Sequence, residues 1–282
     1  MRLSISHVTT YHYARPVQLH PHQMMLRPRG SHDVRVLNHD LRCRPAAELA
    51  WTQDVFGNLI ATAVFSQPVS ELVISSSLSV ETSADAWPIL RIDPAAHAYP
   101  YAHPADEITD LGALAQPQPF DAAVDSWARA FIYSVPTDTL SLLKDLNAGI
   151  LGAAFYRTRD EEGTQTAAET LRMASGSCRD LAALFIEAVR HLGFGARAVS
   201  GYLFDPDGVE ASDTTHAWAE VYLPGAGWVS FDPTHNRLGG AGLIPVAVGR
   251  RNAQVMPVAG SYVGDPEDFL NMEVDVAIER TA

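Results

Sequence analysis

The amino-acid sequence predicts an α+β fold: an N-terminal antiparallel β-sandwich, then a core in which one helix packs on an antiparallel sheet. Three features predict it. The first 83 residues alternate apolar and polar positions, the period turns helical from residue 121, and a helix stripe that follows Cys178 leads into a hairpin.

The β region comes first. Leu3, Ile5, His7 and Thr9 alternate with Arg2, Ser4, Ser6 and Val8; Val34 and Val36 alternate with Arg35 and Leu37; Leu72, Ile74, Ser76, Leu78 and Val80 share a face. Turn signals at Pro28-Arg29-Gly30, Phe56-Gly57-Asn58 and Gln67-Pro68 break these runs, the pattern of antiparallel strands with one wet face. Cys43 closes one such run and is expected to be a small buried thiol.

Residues 84–120 carry Pro88, Pro94, Pro100, Pro104, Pro117 and Pro119. That density forbids long helices and central strands. It marks a surface linker between one domain at 1–83 and a second at 121–282. In the second, Ala122, Val124, Trp127, Ala128 and Phe131 share a helical face, and further helical stretches follow at 138–151 and Gln165–Met173. Leu243–Val248 reads as a strand, as does the alternation of Leu270, Met272, Val274, Val276 and Ile278. These strands either complete the core sheet or pack back on the first domain, and residues 260–268 read as a surface loop.

A chain of 282 residues can bury a sizeable core without disulfides or a structural metal. Its formal charge of −13 excludes a nucleic-acid partner, whose phosphates demand a basic face, and gives no attraction to an anionic membrane. No apolar run reaches the roughly 18 residues of a transmembrane helix. The start, MRLSISHVTTYHY, lacks the apolar block of a signal peptide, so a cytoplasmic protein is expected. Lys144 is the single lysine among 20 basic residues. A genome that favours arginine and alanine accounts for this; avoidance of self-modification by an amine-acylating enzyme is the functional counterpart.

Two cysteines, Cys43 and Cys178, cannot build a disulfide framework or a cysteine-rich zinc site. Cys178 opens a helix. Gly176 and Ser177 supply turn and N-cap, Leu181, Leu184, Phe185, Ala188, Val189 and Leu192 form a buried stripe, and Gly193 ends it. At a helix start, free N–H groups and the dipole favour a thiolate and can hold an oxyanion. Arg179 adds to this field while Asp180 opposes it. A lone cysteine is commonly just packed in the core, so the nucleophile reading needs a base.

Downstream, Ala196–Phe204, Thr215–Leu223 and Trp228–Thr234 read as strands, the last two joined as a hairpin through Pro224-Gly225-Ala226-Gly227. Register decides whether His216 can meet Asp232. If Leu223 faced Trp228, the two would lie on opposite faces; if Tyr222 faces Trp228, they become diagonal neighbours on one face, within reach. An odd-length loop or a bulge is therefore expected. A strand histidine is ordinarily a satisfied, partly buried ring, and an aspartate before proline an ordinary turn residue; together with Cys178 they gain weight.

Gly-Ser-Cys-Arg-Asp at 176–180, Gly201-Tyr202, His216-Ala217-Trp218, Trp228 and Phe231-Asp232-Pro233-Thr234 resemble the transglutaminase-like superfamily, papain-type cysteine acyl-transfer enzymes. The resemblance covers about 150–240 in the core, and the β-rich start with Phe56-Gly57-Asn58 is similar to the N-terminal region of bacterial members. It implies a papain/transglutaminase-like core in which Cys178 is nucleophile, His216 base and Asp232 the group that orients the imidazole. It implies a peptide or protein amide substrate, a possible amine acceptor, and no cofactor; no acidic cluster suggests calcium. Tyr156 and Gln165 are candidate oxyanion or substrate contacts. Trp218 and Trp228 either wall the cleft, with Trp218 touching substrate, or fill the core.

Two other readings compete. One is a peptide-binding module on the same fold with an idle triad. The other is metal binding by His7, His12, His20, His22, His32 and His39, which is set aside because no carboxylate or cysteine falls at ligand spacing and scattered surface histidines are common. His235 is expected to be a bystander.

Overall fold

The computed structural model describes residues 1–117, 119–159, 161–205 and 215–281. Its longest strand, β1 (Arg2–Leu19), joins both halves of the molecule. One sheet sets β1 beside β6 (Val69–Thr82), β6 beside β3 (Val34–Arg44), and the end of β1 beside β17 (Tyr262–Val263). A second sheet runs β16 (Val258–Ala259), β2 (His22–Met24), β5 (Leu59–Val64), β4 (Glu48–Gln53). Tyr13, Val17, Leu19, Met24, Ala61, Ala63, Leu72 and Ile74 fill the space between them, which makes the antiparallel sandwich. Cys43 sits on β3 opposite Ile74, half-buried rather than sealed.

The C-terminal strand, β18 (Phe269–Thr281), does not extend the core sheet. It lies against the free edge of β1 with Ile278 opposite Ile5, so the stretch 121–282 is not one continuous unit. Period-two alternation names a strand but not its partner, and this one returns to the first sheet. Segment 260–268 likewise contributes β17 to that sheet.

The core sheet is antiparallel throughout: β14 (Arg237–Leu238), β13 (Gly227–Asp232), β12 (His216–Leu223), β11 (Gly195–Leu203), β15 (Leu243–Gly249). On one face lies α5 (Cys178–His191), with Leu181, Leu184, Phe185, Ala188, Val189 and Leu192 all buried against Ala198, Ala219, Val221 and Phe231. Helices α2 (Ala122–Arg129), α3 (Thr139–Ala153) and α4 (Ala167–Met173) complete that layer. The linker is anchored rather than loose. Short β7 (Ala98–Tyr99) pairs with β8 (Thr137–Asp138), α1 (Ala105–Leu111) follows, and Tyr99 stacks on Phe194. Among the described residues no helix is long and apolar enough to cross a membrane.

The two halves meet on the other face. Leu3, Ile5, Val34, Leu78 and Val80 pack on Tyr202, Ile244 and Val246. Asn58, fully buried in the turn after Phe56-Gly57, donates to the Val248 carbonyl at 2.7 Å and accepts from its N–H at 2.9 Å, as a strand partner would. His7 and His22 are buried, which corrects the view of the early histidines as surface groups. His7 lies 3.0 Å from Tyr202 Oη through Nδ1 and 3.0 Å from Thr9 Oγ1 through Nε2.

Burial holds the His7 ring down from 6.5 to about 4. The unfolded chain takes up this proton as pH falls below 6.5 and the folded chain only near 4, so stability is lost on acidification across that window. The loss amounts to about 3 kcal/mol. Thermal unfolding between pH 7 and 4 should show the decline, and His7→Gln should flatten it; an equally steep decline in H7Q would acquit His7.

Candidate active site

The site assembles at the start of α5 and the adjoining end of the core sheet. Ser175-Gly176 form β10, paired in parallel with β9 (Phe155–Tyr156), and deliver the chain to Ser177, the N-cap. Asp180 then fixes the first turn. Its fully buried carboxylate accepts from Ser177 N and Ser177 Oγ, both at 2.8 Å, from Gln165 N at 2.7 Å and from Arg159 Nε at 3.2 Å. From the other side Asn252 Nδ2 donates to the Arg179 carbonyl at 2.7 Å. Cys178 therefore stands at the first helical position as a partly exposed residue.

The hairpin has the register that brings the other two groups together. Tyr222 pairs with Trp228 and Leu223 with Gly227, across the three-residue loop Pro224–Ala226. Gly225 and Gly227 adopt φ of +80° and +74°, which residues with a Cβ rarely tolerate. His216 and Asp232 consequently share a face, with His216 Nε2 donating to Asp232 Oδ2 at 2.9 Å. The carboxylate is 0% exposed and the imidazole 5%.

Nε2 is committed to Asp232, and the Cys178 side chain interacts with the same ring. Burial disfavours the charged ring, but Asp232 beside it and the Cys178 thiol overcome this and raise His216 to about 10. Burial also opposes ionisation of Asp232, yet His216 and His235 hold it well below the usual carboxylate range. The resting arrangement is a buried carboxylate holding an imidazolium against a sulfur. That is an acid–base relay of the kind that activates a thiol.

Trp218 requires correction. It is 0% exposed and cannot touch substrate: Val199, Leu203, Leu243 and Val248 enclose it, and Phe56 of the first domain covers them. Gly201 leaves room for its ring edge, where any Cβ would collide. Its ring stacks behind His216 with centroids 5.9 Å apart. Trp228 lies away from the relay, under the Arg197 guanidinium at 4.1 Å. Tyr156 is exposed on β9 beside Gly176. Gln165 is held by α4, its Oε1 accepting from Thr170 Oγ1 at 3.1 Å. Among the described residues neither Tyr156 nor Gln165 hydrogen-bonds to Cys178, His216 or Asp232.

His235 is no bystander: its Nδ1 donates to the same Asp232 Oδ2 at 2.8 Å, with ring centroids 5.1 Å from His216. The i, i+3 spacing across the Pro233-Thr234 turn was the available signal. Asn147 of α3 holds that turn by donating to Asn236 Oδ1 at 3.1 Å. His216, Asp232 and His235 offer ligand atoms within 4.8 Å of one another, but the two N···O distances are hydrogen-bond lengths with both rings donating.

Comparison with known proteins gives the chain's family. The model of the transglutaminase-like superfamily matches residues 126–233, and that of the bacterial transglutaminase-like N-terminal region matches 3–81. Uncharacterized proteins of Mycobacterium tuberculosis and Mycobacterium bovis are each 30% identical over 98% of this chain and 92% of their own. The chain belongs to the transglutaminase-like superfamily. An uncharacterized Mycobacterium leprae protein is 24% identical over 98% of both chains. The transglutaminase-like fold is also that of a crystal structure from Cytophaga hutchinsonii, provisionally described as a cysteine protease. It has a TM-score of 0.76 at 20% identity, covering 100% of this chain and 92% of that one. Superfamily and fold together mark a cysteine-based catalytic fold.

Proposed function

We propose that the protein is a cysteine-dependent acyl-transfer enzyme that acts on peptide or glutaminyl amides through a thioester on Cys178. The observation that carries this is the imidazole of His216 set between a partly exposed cysteine and a fully buried carboxylate.

In the first half-reaction the proton of the thiol–imidazole pair resides on His216 and the sulfur attacks the amide carbonyl carbon. The oxyanion gathers at the first turn of α5, where the Cys178 N–H has no partner carbonyl within the helix. Collapse breaks the C–N bond, and His216 returns its proton to the departing amine. Water or a second amine, deprotonated by His216, then attacks the thioester and frees Cys178. Asp232 keeps the ring oriented and its charge compensated throughout. The provisional description of the Cytophaga hutchinsonii protein as a cysteine protease supports hydrolysis as one outcome.

Incubation with a peptide-amide library, with and without a primary amine, followed by mass spectrometry, separates the two outcomes. Incorporated amine identifies a transferase and cleavage alone a hydrolase. Neither product, combined with equally slow iodoacetamide labelling of Cys178 and Cys43, would replace the enzyme with a peptide-binding module.

A further inference from the structure

Asp232 receives more than a triad requires. Its Oδ2 accepts from His216 Nε2 at 2.9 Å and from His235 Nδ1 at 2.8 Å, while Oδ1 accepts from Thr234 N at 3.0 Å. The carboxylate has no exposed area, so these bonds govern its orientation. We infer that His235 is a positioning residue for the acyl-transfer site, a second imidazole that locks the triad carboxylate in line with His216.

Geometry separates this from space filling. A carboxylate held only at Oδ1 can swing its other oxygen off the His216 axis; the His235 N–H closes that motion. The two rings meet at one oxygen, so the second donor keeps Asp232 Oδ2 in line with His216 Nε2. The turn is built for it: Asn236 takes a positive φ of 50°, and Asn147 ties the turn to α3, folding His235 back over Asp232. His235 acts through Asp232 and is assigned no contact with substrate.

The inference rests on the acyl-transfer reading above, and its test distinguishes the two. Asparagine at 235 can place an amide N–H where Nδ1 lies; leucine fills similar space without a donor. In the full-length protein at pH 7, His235→Leu should slow iodoacetamide alkylation of Cys178 by about five-fold, the worth of one hydrogen bond, and His235→Asn should remain within about two-fold of wild type. By proton NMR with 15N-labelled histidine, the downfield His216 Nε2–H resonance should persist in H235N and move upfield or exchange away in H235L. If H235L does not fold by circular dichroism, His235→Gln, whose amide cannot reach the Nδ1 position, takes its place. Alkylation in H235L as fast as wild type, or equally slow in H235N, overturns the positioning role. Absence of selective Cys178 labelling in the wild type would defeat the acyl-transfer reading instead, and the resonance pattern would still decide whether His235 controls Asp232.

Discussion

Cys178→Ala should abolish acyl transfer, by at least about 1,000-fold, while leaving the fold intact. Cys178 sits at the first turn of α5 and is partly exposed, so removing its thiol opens no cavity in the core. Product analysis on peptide amides, beside circular dichroism of the variant, measures both halves of the expectation. Residual activity within tenfold of wild type would move the chemistry elsewhere. Asp232→Asn adds a signed test. Burial lowers the His216 ring while Asp232 and the thiol raise it to about 10, so the imidazolium that protonates the leaving amine is lost only as pH climbs through that value. With the carboxylate charge gone, burial gains the upper hand and the alkaline limb of the rate profile should shift to lower pH. A limb that stays in place would mean Asp232 does not hold the charge.

Asp180→Ala should be the most destabilising single change near the site. It strips the acceptor from Ser177 N, Ser177 Oγ and Gln165 N and leaves Arg159, whose side chain is 7% exposed, without its buried partner. Removing one member of a buried ion pair costs about 3–5 kcal/mol. Urea unfolding reads the loss directly. Alkylation of Cys178 should slow as well, because the turn that presents the thiol loses its anchor. A variant as stable as wild type would show that the loop before α4 reorganises without Asp180.

Much of this site could be read from the sequence. The stripe from Leu181 to Leu192 leaves no doubt about which way α5 faces, because three-and-four spacing has one inward solution. The hairpin register followed from asking which pairing puts His216 and Asp232 on one face, and Tyr222 does pair with Trp228. Other features depended on distant chain segments. Trp218 alternates with His216 as a cleft residue would, but Val199, Leu203, Leu243 and Val248, brought from β11 and β15 and covered by Phe56, make that position core. The destination of β18 was open because alternation carries no address. His235 was passed over because turn geometry, rather than strand period, aims its ring at Asp232.

The seating of β1 between β6 and β18 bears on how the protein is made. β1 leaves the ribosome well before β18, which emerges only after some 250 further residues. At roughly 5–20 residues per second the nascent chain waits about 12–50 seconds with that edge unmatched. An open edge of alternating apolar residues is an invitation to foreign strands. Synthesis of this protein thus has a vulnerable interval whose length is set by the distance between two strands that end up side by side, and slowing translation should lower the soluble yield.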